Sequence, residues 1–339
     1  MSADRVGVVI FGLGRAGKIH VKNILNNPRI ELKYVIEEAV ENAVEFLRQE
    51  LCCYATVLAV SAVQVALADP SVKAAVICTP TPVHEQCVLM ALRAGKAVFC
   101  EKPIADTLAS TEACYDEAEK QGLPLFCALN RRFDPGFRSI IESAKKGKVG
   151  QIHMIKQTSR DSPLPSMEYL KISNGIFHDC AVHDIDVVST IAGEAPSTIY
   201  AQAHSFVPGI KAMGDVDAVA ITLKFPCGMM AQIDLDRLAV YGYDQRLEVF
   251  GDKGMLRCEN MRPTAVQLSS GDGTLQERNL FSFPQRYAES YFNQLNHFID
   301  VVKGQAEMEV KKENVMLACK IASACEHSYK TGTVVNFQN

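Results

Sequence analysis

The sequence predicts an α/β chain in two parts: an N-terminal doubly wound parallel sheet, then a C-terminal α+β domain with a large, mostly antiparallel, open sheet. Three observations lead there. Over the first third, strand-like and helix-like segments alternate with short turns, as in a parallel sheet covered on both faces. After about Asn130, long segments of alternating apolar and polar residues take over, separated by turn signals, as in hairpins. The 339 residues also set a prior of about two domains. The expected division is 1–130 and 131–339. It is a change of pattern with no spacer, since no internal repeat or low-complexity linker occurs.

Val6–Phe11 is an apolar, β-branched run, the signature of a strand buried on both faces. Gly12–Gly17 is a glycine loop, and Ile19–Leu25 a helix stopped by Asn26-Asn27-Pro28. Leu32–Ile36 is the second strand and Ala39–Leu51 the second helix. Ala74–Cys78 is a strand halted by Thr79-Pro80-Thr81-Pro82, and His84–Ala94 a helix ending at Gly95. Ala97–Cys100, Ser110–Lys120 and Leu125–Leu129 continue the series as strand, helix and strand.

In the second part the alternating segments are Gln151–Ser159, Thr198–Phe206, Ala218–Phe225, Met229–Leu235, Arg246–Phe250, Met255–Glu259 and Ala265–Ser269. Pro226-Cys227-Gly228, Asp252-Lys253-Gly254 and Gly271-Asp272-Gly273 are the hairpin turns. Helices are expected at Asp179–Ala192, Tyr287–Lys303 and Glu313–His327.

Composition excludes several classes. Hydrophobic residues are 48% and charged residues 22%, ordinary for a globular chain. The 35 Lys+Arg nearly balance the 39 Asp+Glu, without a run of five or six like charges, which argues against nucleic acid or an anionic membrane as partner. The twelve cysteines show no Cys-x2–4-Cys pair, the usual mark of a zinc site. Many of them sit inside apolar runs as small buried hydrophobes. No signal peptide is expected before Val6, and no apolar run reaches the ~18 residues of a membrane span. A reducing, cytoplasmic compartment is the expected setting.

Four groups of residues point to chemistry. Gly12-Leu13-Gly14-Arg15-Ala16-Gly17 follows a buried strand and opens a helix. A dinucleotide needs that arrangement: one glycine for the turn, one for backbone approach to the pyrophosphate, one for strand–helix packing, and a helix N-terminus facing the anion. Glu37, at the end of the second strand, is placed to accept hydrogen bonds from a ribose diol and to repel a 2′-phosphate, which favours NAD over NADP. Thr79-Pro80 through His84, and Cys100-Glu101-Lys102-Pro103, lie at the carboxyl ends of parallel strands, where such sheets bind ligands. Finally, Asp179 and His183 stand at i, i+4 on one helix. The spacing fits general acid–base work, a metal site with His178 as third ligand, or a plain helix-stabilising pair.

Together these segments resemble the Gfo/Idh/MocA family of NAD(P)-dependent oxidoreductases over essentially the whole chain. The carriers are Gly12–Gly17, Glu101-Lys102-Pro103 and Asp179-x-x-x-His183. Within the family the chain is most similar to the myo-inositol 2-dehydrogenases. That similarity rests on Ala128 to Pro135, Ser159-Arg160-Asp161, Glu168-Tyr169-Leu170-Lys171, Gly175 to Asp184 and Tyr241 to Arg246. The chain departs from the pattern at His178, where an apolar residue is usual, and at Cys180-Ala181.

The resemblance implies a Rossmann domain followed by a sheet domain that mediates homodimers or homotetramers, with NAD as cofactor and a small-molecule polyol as substrate. It assigns Lys102, Asp179 and His183 as the catalytic group. Gly12, Gly14, Arg15, Ala16, Gly17, Glu37, Thr79, Pro80, His84, Glu101 and Lys102 form the cofactor side. Arg131, Asp161 and Tyr243 join the catalytic group on the substrate side. In the implied reaction His183 takes a hydroxyl proton as hydride leaves carbon, and Lys102 steadies the oxygen. No metal is required, since Lys102 supplies the positive charge. The rival readings are another inositol, a sugar or a dihydrodiol as substrate, a non-catalytic cofactor-sensing regulator, and a metal-dependent hydrolase using His178, Asp179 and His183.

Overall fold

The computed structural model describes residues 5–338. The first sheet is built from β1 (Val6–Phe11), β2 (Ile30–Ile36), β3 (Thr56–Leu58), β4 (Val72–Ile77), β5 (Ala97–Cys100) and β6 (Leu125–Cys127), all parallel, in the order β3-β2-β1-β4-β5-β6. Every residue of β1 is buried, as its unbroken apolar run requires of a central strand with helices on both faces. The order reverses at β1/β4, so the connections leaving β1 and β4 part there. This is the switch point at which doubly wound sheets bind ligands.

The second sheet has seven strands: β7 (Ile152–Arg160), β8 (Thr198–His204), β9 (Ala218–Lys224), β10 (Met230–Asp236), β11 (Asp244–Gly251), β12 (Gly254–Cys258) and the short β15 (Val335–Asn336), in the order β12-β11-β7-β10-β9-β8-β15. All neighbours are antiparallel except β7 and β10. β9 and β10 alternate buried and open residues, which separates a covered face from an open one. The covered face, with Ile155, Ile221, Leu223, Ile233 and Leu247, packs on Ile140, Ile185, Val188, Ile321 and Cys325 from the helices. The open face exposes Met230, Phe250 and Met255.

Several elements differ from expectation. Ala39–Leu51 is an α-helix only over Val40–Glu45 and continues as a π-turn through Glu50, where Phe46 and Leu47 are both buried. Likewise Asp179 lies in a π-turn, Phe177–Ala181, ahead of the α-helix Val182–Ala192. β3 has three residues, too few for a periodic signal. The helix Pro135–Lys145 escaped the sequence reading. Asp134 caps it by accepting from the Phe137 amide at 3.1 Å, and Pro135 opens it. The hairpin of β13 (Gln267–Ser270) and β14 (Gly273–Gln276) stands apart as a two-stranded ribbon, exposed throughout.

The chain divides into two compact units, but not at one point. The first holds residues up to Leu129 together with Tyr291–Met316; the second holds Asn130–Ser290 and the residues from Leu317 onward. The segment from Tyr291 joins the first unit through aromatic packing. Tyr291 meets His20 edge-on at 5.5 Å between centroids, and Phe298 meets Phe99 at 5.7 Å. Asn27 donates to Asn296 at 2.7 Å, and Lys312 pairs with Asp116 at 2.6 Å. A boundary placed only at residue 130 misses this return. Among the described residues, no helix is long and apolar enough to cross a membrane.

Candidate active site

The glycine loop is dictated by sterics. Gly12 has φ +85°, and a Cβ there would stand 2.8 Å from the Cys78 carbonyl oxygen. A Cβ on Gly17 would stand 2.1 Å from the Gly12 carbonyl oxygen, so only glycine lets the helix Arg15–Leu25 pack this close. Gly14 caps that helix, and a Cβ there would meet nothing within 4 Å. The helix starts without a side-chain cap, so its first amides remain available to an anion alongside Arg15 and Ala16. Glu37 leans over the loop: one carboxylate oxygen accepts from the Leu13 amide at 2.6 Å, the other from the Glu38 amide at 2.9 Å. A glycine cradle at a helix N-terminus, with an acid from the next strand beside it, fits a dinucleotide with a free 2′-hydroxyl.

At the neighbouring strand ends, two imidazoles organise the loops. His84 is buried, with Nε2 2.7 Å from the Thr79 carbonyl oxygen and Nδ1 2.6 Å from that of Pro103. Both ring nitrogens are engaged with backbone, so the residue expected to touch cofactor instead ties the Thr79-Pro80 loop to the Lys102-Pro103 loop. His20, fully buried in the first helix, meets the Glu101 carboxylate at 2.7 Å. Lys102 follows immediately, half-buried, at the carboxyl end of β5.

In the second unit the polar groups are side chains. Asp179 is buried and held from two sides: the Tyr169 hydroxyl donates to one oxygen at 2.7 Å, and Arg237 Nη1 donates to the other at 3.0 Å. Cys180 Sγ lies 3.4 Å from Arg237 Nη1 and 3.6 Å from an Asp161 oxygen. Burial pushes the Asp161 carboxyl up and Asp179 adds to this, while Arg237 and Arg131 pull against it. Burial opposes the charge on Arg237, but Cys180, Asp179 and Asp161 outweigh it and keep the guanidinium firmly protonated. His183 is half-buried in the first turn of the helix that follows.

Two of the expected substrate residues have other work. Arg131, 4% exposed, pairs with Asp184 and donates to the Ser159 hydroxyl at 3.0 Å. The Ser159 hydroxyl in turn donates to Gln245 at 3.0 Å. Arg131 therefore supports the helix that carries His183, and its charge is already matched. Tyr243 is buried edge-on against Tyr287 at 5.9 Å, and burial pushes its hydroxyl well above the usual phenol range. His178 points to Glu326 at 3.4 Å. Among the described residues, no three His, Cys, Asp or Glu side chains form a group able to hold a metal.

Sequence reasoning passed over Arg237 and His20, and it gave Asp184 and Asp186 no role of their own. Arg237 left a legible signal: it extends the inward alternation Ala231, Ile233, Leu235 of β10 by one more step, and a charge on the covered face needs a partner. Asp186, which pairs with Arg132 in the interior, left none, because surface acids are common on helices.

Two family domains match the chain: the NAD-binding Rossmann-fold oxidoreductase domain over residues 6–129 and the GFO/IDH/MocA C-terminal domain over residues 137–257. The myo-inositol 2-dehydrogenase of Thermotoga maritima is 36% identical over 325 residues, covering 96% of each chain. Among solved structures, a myo-inositol dehydrogenase from Corynebacterium glutamicum superimposes with a TM-score of 0.92 at 30% identity, covering 99% of each chain. The scyllo-inositol dehydrogenase of Lactobacillus casei, solved with NAD(H) and scyllo-inositol, gives 0.88 at 25% identity and 98% coverage of each. With its glycine cradle, its six-stranded parallel sheet and both domain matches, the chain belongs to the Gfo/Idh/MocA family and is an NAD-dependent dehydrogenase.

Proposed function

We propose that the protein oxidises one ring hydroxyl of a cyclic polyol to a ketone, with myo-inositol giving the 2-keto product. The observation that carries this reading is Asp179, a buried carboxylate fixed by Tyr169 and Arg237 immediately ahead of His183. A polyol needs both a base for the reacting hydroxyl and a rigid acceptor for its neighbour. The similarity to inositol dehydrogenases along nearly the full chain supports the ring as substrate class.

Bound NAD supplies the hydride acceptor. Neutral His183 accepts the hydroxyl proton. Lys102 donates a hydrogen bond to the same oxygen and favours its developing negative charge. Asp179 accepts from a neighbouring hydroxyl or orients the imidazole. Gly12, Gly14, Arg15, Ala16, Gly17 and Glu37 hold the cofactor, and the Thr79-Pro80 and Glu101-Lys102 loops border it. Asp161 is the remaining candidate for a further hydroxyl. The protein works as a homo-oligomer through the open face of the second sheet.

A panel of inositols, sugars and dihydrodiols, assayed with NAD and with NADP, tests the reading. Turnover should be highest with myo-inositol and NAD. Similarity to the Lactobacillus casei enzyme makes scyllo-inositol the second candidate. Lys102→Ala and His183→Ala should each lower turnover roughly 100-fold or more, with much smaller changes in NAD affinity. Oxidation should speed up with rising pH through the range where an imidazole titrates, and that limb should vanish in His183→Ala. Near-normal turnover by His183→Ala would sink the mechanism. Tight NAD binding without turnover on any panel member would favour a cofactor-sensing regulator.

A further inference from the structure

We infer that Arg237 is a positioning residue that, together with Tyr169, locks the Asp179 carboxylate into a single orientation for the reacting polyol. The inference rests on the polyol-dehydrogenase reading above.

Arg237 is among the largest side chains with no solvent exposure in the protein. Its backbone amide, just past the end of β10, donates to the Asp217 carbonyl oxygen at 2.9 Å. Asp217 is itself fixed by the Phe206 and Val207 amides at 2.9 and 2.6 Å. The arginine thus stands on a rigid base. From there Nη1 reaches Asp179 at 3.0 Å, and Nη2 faces Asp215 at 3.9 Å. Tyr169, from the short helix Met167–Leu170, takes the other Asp179 oxygen at 2.7 Å. Each Asp179 oxygen is thus held by a different partner, which restricts rotation of the carboxylate.

Packing alone does not account for an arginine here. A buried ion pair gains little over apolar residues of the same volume, and Nε of Arg237 is buried with no hydrogen-bond partner among the described residues. The charge has a clearer role. Facing it are the carboxylates of Asp179, Asp161 and Asp215 and the thiol of Cys180, with the Tyr169 hydroxyl beyond Asp179. Arg131 also acts on Asp161. Without Arg237, Asp161 and Asp179 repel each other with less compensation, and the groups that must be deprotonated for oxidation hold their protons to higher pH.

The test uses the full chain with NAD and myo-inositol, comparing wild type with Arg237→Gln, Arg237→Lys, Tyr169→Phe, Asp179→Asn and the Arg237→Gln/Asp179→Asn double variant. Arg237→Gln should lower kcat roughly 10- to 100-fold, the range for a lost positioning contact, with a smaller change in KM. The acid limb of kcat/KM should move to higher pH. Arg237→Lys should return the limb toward its wild-type place, and the double variant should be no slower than Asp179→Asn alone. Should Arg237→Gln not fold, Tyr169→Phe decides: a kcat loss that disappears in the Asp179→Asn background supports the inference. Additive losses, an unmoved acid limb, or unchanged kcat in Tyr169→Phe would overturn it. Wild-type inactivity on every inositol overturns the substrate reading itself, a result distinct from any of these.

Discussion

At the carboxyl ends of β1, β4 and β5 the first unit offers mostly backbone: the glycine loop amides, the Thr79 and Pro103 carbonyls, and a helix start without a cap. Around the helix Val182–Ala192 the second unit offers side chains, most of them charged and buried, in the pairs Arg131–Asp184, Arg132–Asp186, Arg237–Asp179 and Arg286–Asp134. A backbone surface is shaped by which residues have no Cβ, and it serves a ligand that varies little. Buried ion pairs hold particular side chains in particular orientations, and they fail when one partner is removed. The first design suits a common cofactor, the second a specific substrate.

The largest expected effect tests the steric half of this contrast. In Gly17→Ala the new Cβ would overlap the Gly12 carbonyl oxygen, which is backbone and has nowhere to go. The loop must open, and NAD binding should fall by roughly 100-fold or more, the cost of losing one or two amide hydrogen bonds to the charged pyrophosphate at about 1.5–3 kcal/mol each. Titration calorimetry with NAD checks it. Binding within a few-fold of wild type would show that the cradle yields, and the contrast would break at its first term.

The electrostatic half is tested by Asp184→Asn. The change keeps shape but strips Arg131 of its counter-charge at a site with no solvent exposure. Stability should drop by roughly 3–5 kcal/mol, the usual result of breaking a buried pair from one side. Denaturant unfolding followed by tyrosine signals reads it, and NAD affinity should stay near wild type if the protein remains folded. A loss below about 1 kcal/mol, within the range of an exposed pair, would mean that the interior of the second unit tolerates an unmatched guanidinium.

How much of this was legible in the sequence follows the same divide. The parallel strands, the glycine loop and Glu37 could be read directly, because backbone-built features leave compositional marks: glycines, β-branched runs, an acid at a strand end. The hairpins of β9–β10 and β11–β12 were legible from their turns. The ion pairs were not, since Arg131 and Asp184 are far apart in sequence and meet only through tertiary packing. The bridging contacts of His84 were hidden for the same reason: its partners, the carbonyls of Thr79 and Pro103, sit on different loops. The return of Tyr291–Met316 to the first unit was also hidden, because an amphipathic helix does not state which sheet it covers.

The smallest expected effect sharpens the comparison at a side chain inside the backbone-built unit. Glu37 accepts from the Leu13 amide at 2.6 Å and so links the end of β2 to the glycine loop. If its carboxylate also receives the ribose hydroxyls, Glu37→Ala removes a charged hydrogen-bond acceptor from the cofactor, a contact of about 1.5–3 kcal/mol. NAD should then bind roughly 10-fold or more weakly. NADP should gain in relative terms, because the charge that repels its 2′-phosphate is gone while the pyrophosphate cradle is intact. The ratio of kcat/KM for NAD over NADP measures this directly and should fall, with kcat on NAD nearly unchanged since Glu37 takes no part in proton transfer. An unchanged ratio would mean that cofactor choice is made elsewhere on the loop. In that case this side-chain contact would drop out of cofactor recognition, and the glycine loop would carry more of the NAD binding.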